Sequence, residues 1–171
     1  MMSALPFLCL LLTLPLLAAL TVIDLRVRLL PNNLVLPFAL LALPFHGMTN
    51  FLYTPALDMA FGTLAGGGML YAVRMAANHY YKRDTLGLGD VKLMGAAGLW
   101  LGLEDTLLAV TIGASAGVLH GLAVALLHKS KTGESISPHN LSIPAGPAFI
   151  VGIVLVGLMK FQTLFVFFPL W

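Results

Sequence analysis

The sequence predicts an all-α integral membrane protein built as a bundle of about six transmembrane helices. Of its 171 residues, 59% are hydrophobic and only 9% are charged, and the mean hydropathy is +0.95. Soluble domains carry about 25% charged residues, so the composition excludes an ordinary soluble fold. Apolar runs of spanning length alternate with short polar stretches along the chain. We expect residues 1–171 to form a single membrane-embedded domain.

The predicted spans follow one another with short connections. Pro31 breaks the chain after the first span, and Glu104 with Asp105 is expected to form the turn between the fourth and the fifth. The fourth run would reach only about 20 Å at 1.5 Å per residue, short of the roughly 30 Å hydrocarbon core. Either the bilayer thins there or the run starts below the interface in a wetted cleft. The runs lie at 3–23, 34–53, 54–77, 91–103 and 106–127, with a last one leading towards Trp171.

The basic residues of the loops predict the orientation in the membrane. Lys and Arg are in excess in cytoplasmic loops. In this chain they fall in the first, third and fifth loops, and the second and fourth loops contain none. We therefore expect the odd-numbered loops to be cytoplasmic and both termini to be external. The loop residues are Arg26, Arg28, Lys82, Arg83, Lys129 and Lys131.

Composition also restricts the partners and cofactors. The net charge of +2 is too small to indicate a nucleic-acid partner. The single cysteine, Cys9, gives neither a disulfide framework nor a CxxC zinc site. The five histidines show no metal-ligand spacing, so we predict no metal and no cofactor. His120, deep in the fifth span, is interpreted as a buried core histidine.

Two aspartates occupy equivalent places at the predicted cytoplasmic face. Asp24 ends the first span, and Asp90 begins the fourth, just after Gly87 and Gly89. A charged side chain at bilayer depth costs on the order of 2.5–3.5 kcal/mol, so such acids are candidates for function. If the two carboxyl groups approach closely they share a proton, and the ionised one can activate a water while the protonated one donates to a carbonyl. This arrangement would hydrolyse an amide without a covalent intermediate.

Other roles for these acids remain open from the residues alone. Asp90 could be a helix N-cap, because its charge suits the positive end of the helix dipole. Membrane-buried acids also serve proton relays, so a small proton-coupled transporter or a non-enzymatic membrane scaffold are alternatives to a peptidase. Transporters usually carry such acids nearer the midplane and are built from repeated halves. No internal repeat is visible in this sequence.

Three segments resemble the type IV prepilin peptidase family. Residues 24–32 read D-L-R-V-R-L-L-P-N, which is similar to the family's D…R-x-I-P-N segment with Leu30 where isoleucine is usual. Residues 87–93, G-L-G-D-V-K-L, match its GxGD motif and the usual continuation. Residues 143–147, I-P-A-G-P, resemble its third motif near the last helix. All three occur in the family's order.

The resemblance implies a GxGD-type membrane aspartic peptidase with Asp24 and Asp90 as the catalytic pair. Its substrates would be prepilin-like proteins with basic leader peptides, cleaved at the cytoplasmic face of the bacterial inner membrane. We interpret Lys92 as an interfacial side chain that snorkels rather than as a catalytic group. Arg74, near the cytoplasmic end of the third span, either snorkels or faces the cleft, and we favour snorkelling. The residues expected to bind substrate or to shape the site are Gly87, Gly89, Pro31, Asn32, Lys92, Pro144, Gly146 and Pro147.

The chain departs from the family's pattern in one respect, and the position of one charged residue is left open. Longer members resemble this chain only after an N-terminal cytoplasmic segment with paired CxxC motifs, which is linked to N-methylation. We therefore expect the short, peptidase-only form of tight-adherence (Flp-type) pilus systems, without a methyltransferase segment. Lys160, in the last span, either reaches the outer interface or faces the bundle interior.

Overall fold

The computed structural model describes residues 4–82, 84, 86–132 and 145–167, and over these residues the regular structure is helical throughout. The all-α fold class predicted from the sequence is confirmed. A single cluster of buried apolar side chains includes residues from every helix. The helices are α1 (Ala4–Val27), α2 (Asn32–Met48), α3 (Ala56–Tyr81), α4 (Leu88–Thr132) and α5 (Gly146–Phe167).

Helix α4 consists of two segments that fold back on each other at Gly102. This glycine has φ 75° and ψ −173°, a conformation that glycine adopts more easily than other residues. A Cβ atom added at Gly66 of α3 would lie 2.5 Å from Met94 O and 2.8 Å from Thr106 Cγ2. In a straight helix Met94 and Thr106 would be about 18 Å apart. The chain therefore reverses, and the described part contains six helical segments, which agrees with the predicted count.

The position of this reversal differs from the prediction. We expected the turn at Glu104 and Asp105, but both residues lie in the first turn of the second segment of α4 (103–132). Acidic side chains suit the positive end of a helix dipole. Gly102 supplies the left-handed conformation that the turn itself needs.

Charged side chains from two other helices satisfy the backbone groups freed at this break. The N–H of Leu103 donates to Asp58 Oδ1 of α3 at 3.0 Å. Lys160 Nζ of α5 donates to Leu101 O at 2.6 Å and to Asp105 Oδ2 at 2.8 Å. Unsatisfied backbone groups at bilayer depth cost several kcal/mol each. Lys160, with its side chain only 14% exposed, therefore faces the bundle interior.

Within the described residues, four helical stretches are long and apolar enough to cross a membrane, and one of them, Leu88–Leu127, includes the reversal at Gly102. Helix α2 is shorter, with 17 residues or about 26 Å of helix, which nearly matches the hydrocarbon core. Large apolar side chains are exposed along every helix, as expected of surfaces that face lipid. These features describe a multi-pass membrane protein. The four helical stretches are Leu5–Val27, Ala56–Tyr81, Leu88–Leu127 and Gly146–Leu164.

Close glycine contacts show how α3 and α5 pack on the two segments of α4. Gly62 of α3 packs on Gly98 so tightly that a Cβ added at Gly98 would lie 2.2 Å from the Gly62 carbonyl carbon. A Cβ added at Gly152 of α5 would lie 2.3 Å from Ala109 O, and one at Gly113 would lie 2.7 Å from Phe149. Helix α5 thus runs antiparallel to the second segment of α4. The starts of α4 and α5 consequently lie at one end of the bundle.

The interpretation of His120 as a core residue is wrong. His120 is exposed on the second segment of α4. Helix α5 begins beside Gly117, so no described helix covers the turns that follow. Among the histidines whose side chains the structure describes, the fully buried one is His46 of α2, which packs against Phe45 with a ring-centroid distance of 5.0 Å.

Candidate active site

The two aspartates meet at one end of the bundle. Asp24 lies in the last turn of α1 and Asp90 in the first turn of α4, and both are buried, with 5% and 6% exposure. A Cβ added at Gly146 would lie 2.6 Å from Asp24 Oδ2 and 3.4 Å from Asp90 Oδ1. The two oxygens are therefore no further apart than the sum of these distances, which a single water molecule can bridge.

The same two oxygens have no hydrogen-bond partner among the described residues. Asp24 Oδ2 and Asp90 Oδ1 are both buried, and both face Gly146. Most buried polar atoms in proteins are paired, and the exceptions need an explanation, of which a catalytic role is one. Two carboxylates this close also repel each other when both are ionised. The pair is therefore suited to hold one proton between two oxygens that are free to accept a hydrogen bond.

Each glycine of the GxGD segment permits one particular close approach. A Cβ added at Gly87 would lie 2.9 Å from Asp90 Oδ2, so Gly87 leaves room for the carboxylate beside the backbone. A Cβ added at Gly89 would lie 2.7 Å from the Cβ of Leu30. Gly89 thus allows the segment between α1 and α2 to pack directly on the start of α4. The two sequence motifs are in contact.

The connection from α1 to α2 is fixed by its own backbone and by one side chain of α4. Arg28 adopts φ 54° and donates its N–H to Asp24 O at 2.9 Å, where α1 ends. Pro31 stands in extended conformation before the first residue of α2, Asn32. Lys92 Nζ donates to Asn32 Oδ1 at 3.1 Å. Lys92 therefore joins α4 to the start of α2 through an exposed side chain, and its interpretation as a snorkelling interfacial residue stays a prediction.

The third motif reaches the site through Gly146. Gly146 begins α5 and lies against both carboxylates, where any side chain would collide with Asp24. Pro147 follows in the first turn of α5, a position where the missing N–H of proline breaks no hydrogen bond. Pro144 lies outside the described residues. The structure thus brings together Asp24, Asp90 and Gly146, with Gly87 beside Asp90.

Arg74 is a residue near the site whose role the sequence did not reveal. It lies in α3 and donates from Nη1 to Leu86 O and from Nη2 to Asp84 Oδ1, the latter at 2.7 Å. Asn78 Nδ2 donates to the same Asp84 oxygen at 2.9 Å. The snorkelling interpretation of Arg74 is therefore wrong, because its guanidinium holds the loop before the GxGD segment. The sequence contained one signal for this contact, which is the carboxylate of Asp84 ten residues after Arg74.

Comparison with known proteins identifies a family whose match includes both aspartates. The model of the type IV leader peptidase family matches residues 11–122, a range that contains both Asp24 and Asp90. The prepilin leader peptidase/N-methyltransferase of Escherichia coli (strain K12) is 33% identical over 110 residues, which cover 64% of this chain and 48% of that protein. The protein of the same name from Aeromonas salmonicida (strain A449) is 34% identical over 118 residues, 67% of this chain and 40% of that protein.

The chain spans half or less of the length of these curated relatives. No solved structure matches it. The family match extends over well more than half of the chain and includes two of the three motif segments. The chain belongs to the type IV leader peptidase family.

Proposed function

We propose that this chain is a membrane aspartic endopeptidase that removes the leader peptide of type IV prepilin-like proteins. The observation that carries the proposal is the pair of buried oxygens of Asp24 and Asp90, which have no hydrogen-bond partner among the described residues and both lie against Gly146. The names of the relatives, prepilin leader peptidase/N-methyltransferase, support the substrate class. The shared apolar core supports a single membrane-embedded domain.

The proposed reaction is direct attack of water on the scissile peptide bond. The ionised carboxylate of the pair removes a proton from a bound water, whose oxygen adds to the carbonyl carbon. The protonated carboxyl group donates to the carbonyl oxygen. When the tetrahedral species collapses, the C–N bond breaks and the leaving nitrogen takes up the proton from the carboxyl that had gained one. As the carbonyl re-forms, one of its hydroxyl groups returns a proton to the other carboxylate, which restores the pair to its starting state. The products are a carboxylic acid, which ionises after release, and a free amine, and no cofactor takes part.

The site is proposed to open to the cytoplasm at the bacterial inner membrane. Asp24 and Asp90 lie at the end of the bundle where α1 and α3 finish and α4 begins. Arg26, Arg28 and Lys82 lie at the same end. Excess Lys and Arg marks cytoplasmic loops, so this end is assigned to the cytoplasm. A basic leader would then meet the carboxylate pair before its protein is exported.

Leader cleavage is tested by co-expression in a strain that lacks its own prepilin peptidase. The chain is produced together with a prepilin that carries a basic leader. We expect a pilin of higher gel mobility whose mass and N-terminal sequence correspond to loss of the leader. The matched control is the same strain without this chain. Several candidate prepilins are tried in turn. If this chain is well expressed and inserted in the membrane, and every precursor still keeps its leader, the proposal is contradicted.

The cytoplasmic orientation is tested separately with reporter fusions. A fusion after Lys82 should report a cytoplasmic position, and a fusion near Thr49 should report an external one. The physical reason is that the basic loop residues lie on the same side as Lys82. An external signal after Lys82 would reverse the orientation and place the carboxylate pair on the wrong face for a cytoplasmic leader.

A further inference from the structure

We infer that Arg74 is a positioning residue for the active site, which holds the Asp90 carboxylate in place through the backbone of Leu86 and Gly87. The kinetic part of this inference rests on the proposed peptidase function. The structural part does not, because it concerns how the loop before α4 is anchored to α3.

Arg74 makes two contacts to the loop with separate nitrogens. Nη1 donates to the carbonyl oxygen of Leu86, and Nη2 donates to Asp84 Oδ1 at 2.7 Å. Only 16% of the Arg74 side chain is exposed. The planar guanidinium presents its N–H groups in a rigid fork, so two acceptors fix its orientation. Lysine is a single point charge and cannot reproduce this geometry.

The Leu86 carbonyl is one peptide unit from the backbone that packs on Asp90. Gly87 lies so close to Asp90 Oδ2 that a Cβ added there would be 2.9 Å from that oxygen. The Gly87 carbonyl also accepts from the N–H of Val91, the residue after Asp90, at 3.5 Å. A shift of the peptide between Leu86 and Gly87 would therefore move both the start of α4 and the surface against which the carboxylate rests.

The contact to Asp84 cannot carry this role by itself. The Asp84 side chain is 79% exposed, and exposed ion pairs contribute little because water and salt screen them. Asn78 shares the same oxygen, so Asp84 is held from two sides. We therefore infer that Asp84 orients the Arg74 guanidinium, whereas the hydrogen bond to the Leu86 carbonyl restrains the loop before α4.

The first test separates kcat from KM for purified variants acting on a prepilin. Arg74→Gln should lower kcat on the order of 10- to 100-fold, the effect expected when a reacting group is misplaced by about 1 Å. KM should stay within about twofold, since Arg74 does not contact the leader in this assignment. Arg74→Lys should recover only part of the lost kcat. Lys82→Gln, which removes an exposed positive charge from the same loop, is the matched control and should behave as the unchanged protein.

Asp84→Asn distinguishes the carbonyl contact from the ion pair. Asparagine keeps an acceptor oxygen for Arg74 and removes only the charge, so kcat should fall far less than in Arg74→Gln. An equal loss in the two variants would assign the effect to the ion pair and overturn the inference. Wild-type kcat in Arg74→Gln would overturn it as well.

The second test does not depend on activity. Hydrogen–deuterium exchange in detergent should show faster exchange of the backbone amides between residues 86 and 94 in Arg74→Gln, and unchanged exchange in Lys82→Gln. Unchanged exchange in Arg74→Gln overturns the inference whatever the kinetics are. Faster exchange with unchanged kcat overturns it too, because the loop would then move without moving Asp90. Absence of cleavage by the unchanged protein would instead count against the proposed function, while the exchange data still decide whether Arg74 anchors this loop.

Discussion

Asp24→Asn and Asp90→Asn will each abolish leader cleavage while leaving the protein folded. Asparagine keeps the shape of the side chain, but it can neither take a proton from water nor give one to a carbonyl. General acid–base catalysis contributes about 10²- to 10⁴-fold, so each variant should lose at least that much of kcat. The double variant should be no worse than either single one, because groups that act as one unit lose function non-additively.

The measurement is gel mobility and mass of the co-expressed pilin, with size-exclusion chromatography in detergent as the check on folding. Glu104→Gln is the matched control, because Glu104 is an exposed acid at the opposite end of the bundle, beside the break at Gly102. Asp58 is a poorer control, since it accepts from the N–H of Leu103 at that break. Full processing by either Asp24→Asn or Asp90→Asn would remove the aspartic mechanism and favour the transporter or the scaffold.

The pairing of the two aspartates could be predicted because two independent signals agreed. Each residue lies at the boundary of an apolar run, and the basic loop residues place both boundaries on one side of the membrane. A carboxylate at such a boundary is costly enough that two of them in equivalent places suggested a shared purpose. The structure places both in one buried site beside Gly146.

Features that depend on contacts between helices could not be predicted in the same way. The turn was expected at Glu104 and Asp105 because acidic residues stand out in an apolar sequence, whereas Gly102 does not. Lys160 stayed open because its partner carbonyl, Leu101 O, exists as a free acceptor only after the helix breaks there. Arg74 was misjudged for a related reason, since Leu86 O becomes its partner only when the loop folds back on α3.

The contact of the third motif with the carboxylates gives the second large effect. Gly146→Ala would place a methyl group 2.6 Å from Asp24 Oδ2 and 3.0 Å from Asp24 Cγ. Distances below 3.0 Å are not tolerated by real Cβ atoms, so the Asp24 carboxylate must turn away from Asp90 or α5 must shift. Overpacking of this kind costs about 1–3 kcal/mol. This cost is below a typical free energy of unfolding of about 5–15 kcal/mol, so the protein should remain folded.

Catalysis should respond far more than stability, because it needs both oxygens aimed at the same water. We expect kcat of Gly146→Ala to fall on the order of 10²-fold and Gly146→Val to be inactive. Gly157→Ala is the matched control, since it changes a glycine of the same helix where an added Cβ meets no atom within 4 Å. Its kcat should equal that of the unchanged protein, and thermal unfolding in detergent should show both alanine variants folded at the assay temperature. If Gly146→Ala retained the kcat of Gly157→Ala, then the start of α5 would not confine the carboxylate pair, and the close approach of Gly146 to Asp24 and Asp90 would be packing alone.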